Sequence, residues 1–277
     1  MKKFFTFLKS KLISKKEKAS FVPDSLLPRQ DETDSKDARQ TKRPPKEHQK
    51  KDRRQGGPQQ NRNKRPAQKK PPKKRWTIDD FKVEPVEGKT RFHDFDLPWS
   101  VMHAIADLKF EYCTPIQAQL LPHTIEGKDA TAKAQTGTGK SASFIITLLH
   151  QFIKQQKRNP KGAPRSIILA PTRELVYQIE KDFKALACYT PLRIVSVYGG
   201  TGYKQQQDQL TGKPVDVIAA TPGRLIDFMN KRLIDPSRVE IMVIDEADRM
   251  LDMGFIPDVR RIVHKTPHKD KRQTLFF

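Results

Sequence analysis

Ala134-Gln135-Thr136-Gly137-Thr138-Gly139-Lys140-Ser141 is the stretch from which the fold can be read. Apart from Ala134, which stands where the usual pattern has its first glycine, it is a P-loop, a turn that wraps backbone N–H groups around a polyphosphate at a helix start. Gly137 and Gly139 allow positive φ and close approach to phosphates, Lys140 brings a positive charge to the β and γ oxygens, and the Ser141 hydroxyl can ligate Mg²⁺. The apolar residues Phe144, Ile145, Ile146, Leu148 and Leu149 follow at once, predicting a helix that opens at Gly139 and packs on a sheet.

Outward from the loop, apolar runs alternate with helical patterns. Ser166 to Ala170, Arg193 to Tyr198, Val215 to Ala220, Glu240 to Ile244 and Gln273 to Phe277 read as buried strands. Strand-helix alternation predicts an α/β fold, a parallel sheet with helices on both faces, whose ligand-binding loops follow the strands on one sheet edge. Thr131-Ala132-Lys133, leading into the P-loop, is less apolar than a central strand and suits an edge or a bulge. After Ile241-Met242-Val243-Ile244 comes Asp245-Glu246-Ala247-Asp248. In a chain with a P-loop, a carboxylate there is placed to hold Mg²⁺ or its waters, and the next can orient an attacking water. An isolated Asp-Glu pair would instead be read as a solvated helix start favoured by the dipole.

Upstream, Thr114 can cap a helix with Pro115 at its first position, leaving the Gln117 amide free near the helix start. Such an amide can pair with the N6/N7 edge of adenine, and Phe92 can stack on the ring; the alternative is an ordinary solvated glutamine.

Charge divides the chain. Of the net +22, residues 1–75 supply +17, from 25 Lys and Arg against 8 Asp and Glu. That imbalance points either to a polyanion partner, nucleic acid or an acidic membrane surface, or to a solubilising tail. Residues 1–18 form a basic amphipathic segment, with Phe4, Phe5, Leu8 and Leu12 at helical spacing. It would lie on lipid, dock on a partner, or fray without a role. It lacks the apolar length and cleavage site of a signal peptide. Residues 19–90, rich in Pro, Gln, Lys and Arg, are expected to be a disordered basic linker, leaving 91–277 as the folded domain. No stretch is long and apolar enough to span a bilayer, and two distant cysteines, Cys113 and Cys188, exclude a disulfide framework, so a cytoplasmic location is expected.

Asp245-Glu246-Ala247-Asp248 and the P-loop, together with Pro171-Thr172-Arg173-Glu174-Leu175, Gly199-Gly200, Thr221-Pro222-Gly223-Arg224, and Phe92 with Thr114-Pro115-Ile116-Gln117, resemble the DEAD-box RNA helicases, in that family's order. The resemblance runs from about Phe92 to Phe277 and implies a RecA-like lobe that uses ATP and Mg²⁺ to unwind or remodel RNA. By that resemblance, Phe92 and Gln117 (the Q motif) read adenine, residues Ala134, Gln135, Thr136, Gly137, Thr138, Gly139, Lys140 and Ser141 hold the phosphates, Ser141 and Asp245 hold the metal, and Glu246 positions water. Pro171, Thr172, Arg173, Gly200, Thr221, Pro222, Gly223 and Arg224 would meet the RNA backbone. Cys113 to Gln117, Tyr198 to Tyr203 and Asp248-Arg249-Met250 are similar to a bacterial branch associated with an RNA-decay complex, whose proteins are implied partners. Lys109 and Cys113 depart from the residues common in the wider family. The family's Ser-Ala-Thr motif and second lobe do not follow Phe277, so Asp248 has no partner there, and the chain is expected to bind ATP weakly and hydrolyse it hardly at all. The other readings are an RNA-binding or annealing protein acting through its tail, and a regulator that docks on intact helicases.

Overall fold

The computed structural model describes residues 76–277 apart from Thr136 and Thr201. The amphipathic segment and most of the basic linker therefore lie outside the described residues. Six short parallel strands form one sheet in the order β1-β6-β5-β2-β4-β3. They are β1 Ala130–Thr131, β2 Ser166–Leu169, β3 Ile194–Val197, β4 Val217–Ala220, β5 Ile241–Ile244 and β6 Gln273–Phe276. Each predicted strand is present, trimmed at its ends. The polar strand before the P-loop lies at the sheet edge, where Ala130 pairs with Leu275 and Thr131 with Phe276. With one neighbour and two paired residues, it has little side-chain surface to bury, which is why the sequence there tolerates Thr131 and Lys133.

Side chains alternate across the sheet. Ile168, Val217, Val243 and Leu275 pack into one apolar layer, and Ile167, Ile218, Met242 and Ile244 into the other. The first layer is closed by α1 Trp99–Asp107, α2 Pro115–Thr124, α3 Lys140–Gln155 and α4 Arg173–Leu186. The second is closed by α5 Tyr203–Gly212, α6 Pro222–Asn230, α7 Ala247–Asp252 and α8 Ile256–Lys265. Phe144, Ile145, Ile146, Leu148 and Leu149 of α3 are fully buried, and so pin the helix that the P-loop opens. Complete burial of each stabilises the lobe by roughly 1.5–3 kcal/mol.

Where the strands begin, Arg165 and Arg272 are internal among the described residues. Arg165 is fully buried. Its Nε donates to Glu240 Oε1 at 3.0 Å, its Nη2 to Gln155 Oε1 at 2.7 Å, and its Nη1 to the Phe152 carbonyl at 3.2 Å. These bonds tie the end of α3 to the residues entering β2 and β5, and offset the desolvation of the charge.

Residues 76–90, which composition places in the linker, pack against the lobe. Trp76 stacks on His103 of α1 with ring centroids 4.4 Å apart, and His103 stacks in turn on Tyr189 at 3.7 Å. Val83 is buried, its carbonyl accepts from Arg91 Nη1 at 3.1 Å, and the Phe81 carbonyl bonds His93 Nε2 at 2.7 Å. Composition hid this flank because three anchoring residues, Trp76, Phe81 and Val83, are enough to hold a polar segment on a preformed surface.

Among the described residues no helix is long and apolar enough to cross a membrane.

Candidate nucleotide and RNA site

All strands being parallel, the loops after β1, β2, β3, β4 and β5 emerge at one edge of the sheet, and they carry the motifs singled out above. Gly137 has φ +85° and Gly139 φ +91°, the left-handed conformations that the P-loop reading requires. A Cβ on Gly139 would fall 2.5 Å from Gln117 Nε2, so a larger residue there would displace the Gln117 amide. Gly139 is the residue on which α3 starts, leaving the first N–H groups of that 16-residue helix without intrahelical acceptors.

Lys140, Ser141, Gly137 and Gly139 line a cavity of about 430 Å³ together with Asp245 and Glu246. Lys140 Nζ donates to the Ala134 carbonyl at 2.7 Å. Asp245 is 4% exposed, and burial pushes its carboxyl up to about 6 although Lys140 opposes the shift. Its Oδ1 accepts from the Glu246 N–H at 3.0 Å. Glu246 has φ +49° and ψ +48°, a left-handed conformation in a non-glycine residue. Its carboxylate meets Arg249 Nη1 at 3.2 Å.

The residues fit a nucleotide with its metal. The loop offers backbone donors and a lysine to phosphates, and Asp245 and Ser141 face the same cavity. No cluster of three or more carboxylate, histidine or cysteine side chains that could hold a metal ion occurs among the described residues. That donor set suits Mg²⁺, which keeps waters and phosphate oxygens in its shell and takes only one or two protein groups.

Both residues expected at the base are engaged within the lobe. The Gln117 amide is not free: it is 4% exposed, its Oε1 accepts from the Thr114 N–H at 2.9 Å, and its Nε2 donates to the Gly139 carbonyl at 3.2 Å. A glutamine at the third helical position reaches back to complete a capping box, and here it also ties α2 to the P-loop. Phe92 is fully buried and stacks behind Phe110 at 6.5 Å, so it has no open face for a ring. Phe110 is the aromatic that lines the cavity. Leu175, Gln178 and Asp182 of α4 line it too, with Gln178 Nε2 donating to Asp182 Oδ1 at 2.6 Å. Desolvation raises the Asp182 carboxyl above its ordinary range. Their spacing of three and four along one helix face was visible in the sequence, but such a face is ordinarily core. Burial also pushes the Cys113 thiol up to about 12, which disfavours its thiolate form.

On the same edge, Thr172 caps α4, its Oγ1 accepting from the Leu175 N–H at 3.4 Å, and Thr221 with Pro222 opens α6. Arg173 is exposed, and a Cβ on Gly200 would lie 3.8 Å from its Nη1, so the β2 and β3 loops adjoin. The Arg224 guanidinium lies 5.1 Å from the Tyr203 ring centroid, and its Nη1 is 3.5 Å from Gln206 Oε1. Gln206 in turn bonds the Tyr198 backbone, donating to its carbonyl at 3.1 Å. The structure thus groups Arg173 with Gly200, and Arg224 with Tyr203 and Gln206 of α5.

Residues 114–277 match the model of the DEAD/DEAH box helicase family. The chain belongs to that family. Proteins described as ATP-dependent RNA helicase RhlB are 55% identical to it over 197 residues in Pseudomonas aeruginosa and over 199 residues in Pseudomonas putida, each covering 70% of this chain and 50% of the relative. The RhlB of Actinobacillus succinogenes is 44% identical over 187 residues, 68% of this chain and 45% of the relative. The chain therefore spans about half the length of the curated relatives it matches. The P-loop and the Asp245-Glu246 pair of this DEAD-box lobe both lie within the matched regions.

Proposed function

We propose that the described lobe is the nucleotide-binding half of an RhlB-like, ATP-dependent RNA helicase. The observation that carries the reading is the convergence of Lys140, Ser141, Asp245 and Glu246 on one cavity, beside helix starts bearing Arg173 and Arg224. Lys140 leaves the Ala134 carbonyl to neutralise β and γ phosphate oxygens, and the α3 N–H groups receive the remaining negative charge. Ser141 and Asp245 would hold Mg²⁺, which supplies charge neutralisation on the phosphates. Glu246 accepts a hydrogen bond from the attacking water and orients it. Phe110, rather than Phe92, offers the base an apolar surface. Pro171, Thr172, Arg173, Gly200, Thr221, Pro222, Gly223 and Arg224 would meet the RNA backbone through helix-start N–H groups and guanidinium, giving affinity without base preference. Action in RNA decay alongside proteins of a decay complex, in the cytoplasm, belongs to the same proposal and rests on the likeness to RhlB.

RNA-stimulated ATPase of this chain, measured beside the same chain extended by a second helicase lobe, tests the reading. Both should bind an ATP analogue, with RNA-stimulated turnover confined to the extended chain, because groups that stabilise charge on the transferring phosphoryl contribute several powers of ten. Failure of both to bind the analogue refutes the site.

A second reading, RNA binding through residues 1–75, is favoured by their +17 charge. Under it, RNA affinity survives Arg173→Ala with Arg224→Ala and is lost when those residues are removed.

A further inference from the structure

A second cavity, of about 490 Å³, lies at the opposite edge of the sheet. The strands run parallel, so Asn230 ending α6, Asp235 and Pro236 ahead of β5, and Lys265 ending α8 all sit where strands begin, away from the P-loop. Its apolar floor includes Ile226, Ile234 and Pro236, all buried. Its rim carries Arg232, Arg261 and Lys265, exposed and without an ion pair among the described residues. Arg261 Nη2 donates to Asn230 Oδ1 at 3.2 Å, bridging α8 to α6. The one carboxylate in the wall, Asp235, already accepts the Ser237 N–H at 2.9 Å.

We propose that this cavity docks an acidic, leucine-bearing peptide segment of a partner protein. Three cations facing one engaged carboxylate call for an anionic ligand, and a buried aliphatic floor between them calls for an apolar anchor, which a nucleic-acid backbone does not offer. The proposed RNA-facing groups occupy the other edge, so a partner held here leaves the helicase surface open.

The test uses the full chain and a synthetic 12-residue peptide of Asp and Glu around two leucines, carrying a benzophenone for photo-crosslinking, with sites read by mass spectrometry. Crosslinks are expected within 226–236 and 261–265. Their half-saturation concentration should rise at least about tenfold in Arg261→Glu/Lys265→Glu, as expected for reversing two charges at an interface. Melting temperature and ATP-analogue affinity should be unchanged, since both residues are exposed and remote from the P-loop. Crosslinks confined to residues 1–75 overturn the proposal, as does equal labelling of the cavity by a peptide with both leucines replaced by serine, which would leave a bare anion site. Labelling of the same residues by a photoreactive uridine oligomer that displaces the peptide would make it an RNA surface and also overturn it.

Discussion

Glu246 keeps a left-handed backbone that a glycine would adopt without cost, at the start of a helix of six residues. The strain places its carboxylate beside Asp245 at the cavity, and strain of this kind persists where the surroundings over-determine it. Glu246→Gly should therefore raise unfolding free energy, by up to about 1 kcal/mol, while removing the group proposed to orient water. Chemical denaturation checks the sign, and loss of stability would show that the conformation is held by contacts of the side chain. Asp245 carries an opposite tension. Its pKa is raised to about 6 from 3.8, so the folded chain binds the proton more tightly than the unfolded chain, and stability is lost as pH rises through that window. Without added metal, Asp245→Asn should match wild type near pH 4 and exceed it above pH 6.5, by up to about 3 kcal/mol. Thermal melts across pH read the difference; curves that stay parallel would mean that the carboxylate is not desolvated.

The α2 helix and the P-loop act as one piece because Gln117 bonds both its own helix start and the Gly139 carbonyl. Gln117→Ala should destabilise the lobe by on the order of 1–2 kcal/mol and also weaken ATP-analogue binding, since a cap and a buried acceptor lose their partner. Gln117→Glu keeps the cap acceptor and removes the donor, so it should restore stability in part without restoring the analogue affinity. Calorimetry on both variants separates the roles; wild-type affinity in Gln117→Ala would remove this residue from the site. Lys140→Ala exchanges a half-buried cation bonded to one loop carbonyl for a methyl group, and should lower analogue affinity with little change in melting temperature.

A basic tail of +17 precedes a lobe that is nearly balanced in charge, and the two should separate in experiment. Removing residues 1–75 should flatten the salt dependence of RNA binding and leave ATP-analogue affinity intact. Beginning the chain at Arg91 instead should cost stability as well, because the stack of Trp76 on His103 and the burial of Val83 go with it. Comparing the melting temperatures of the two shortened chains decides where the folded unit starts, and equal values would return the boundary to Arg91.

Local chemistry carried much of this protein: short runs rich in apolar residues announced β2 to β6, the glycines of the P-loop announced positive φ, and Thr114 followed by Pro115 announced the start of α2. These signals are short-range, set by sterics and by hydrogen bonds spanning a few residues, so they survive without a tertiary frame. What Gln117 bonds, which of Phe92 and Phe110 faces the cavity, and how Trp76 to Thr90 is fastened depend on groups far apart in the chain. Gln117 meets Gly139 across 22 positions, and Trp76 meets His103, which stacks in turn on Tyr189, only once α1 has packed beside the end of α4. No local pattern encodes such meetings, because burial is a property of the assembled layers rather than of the segment that is buried.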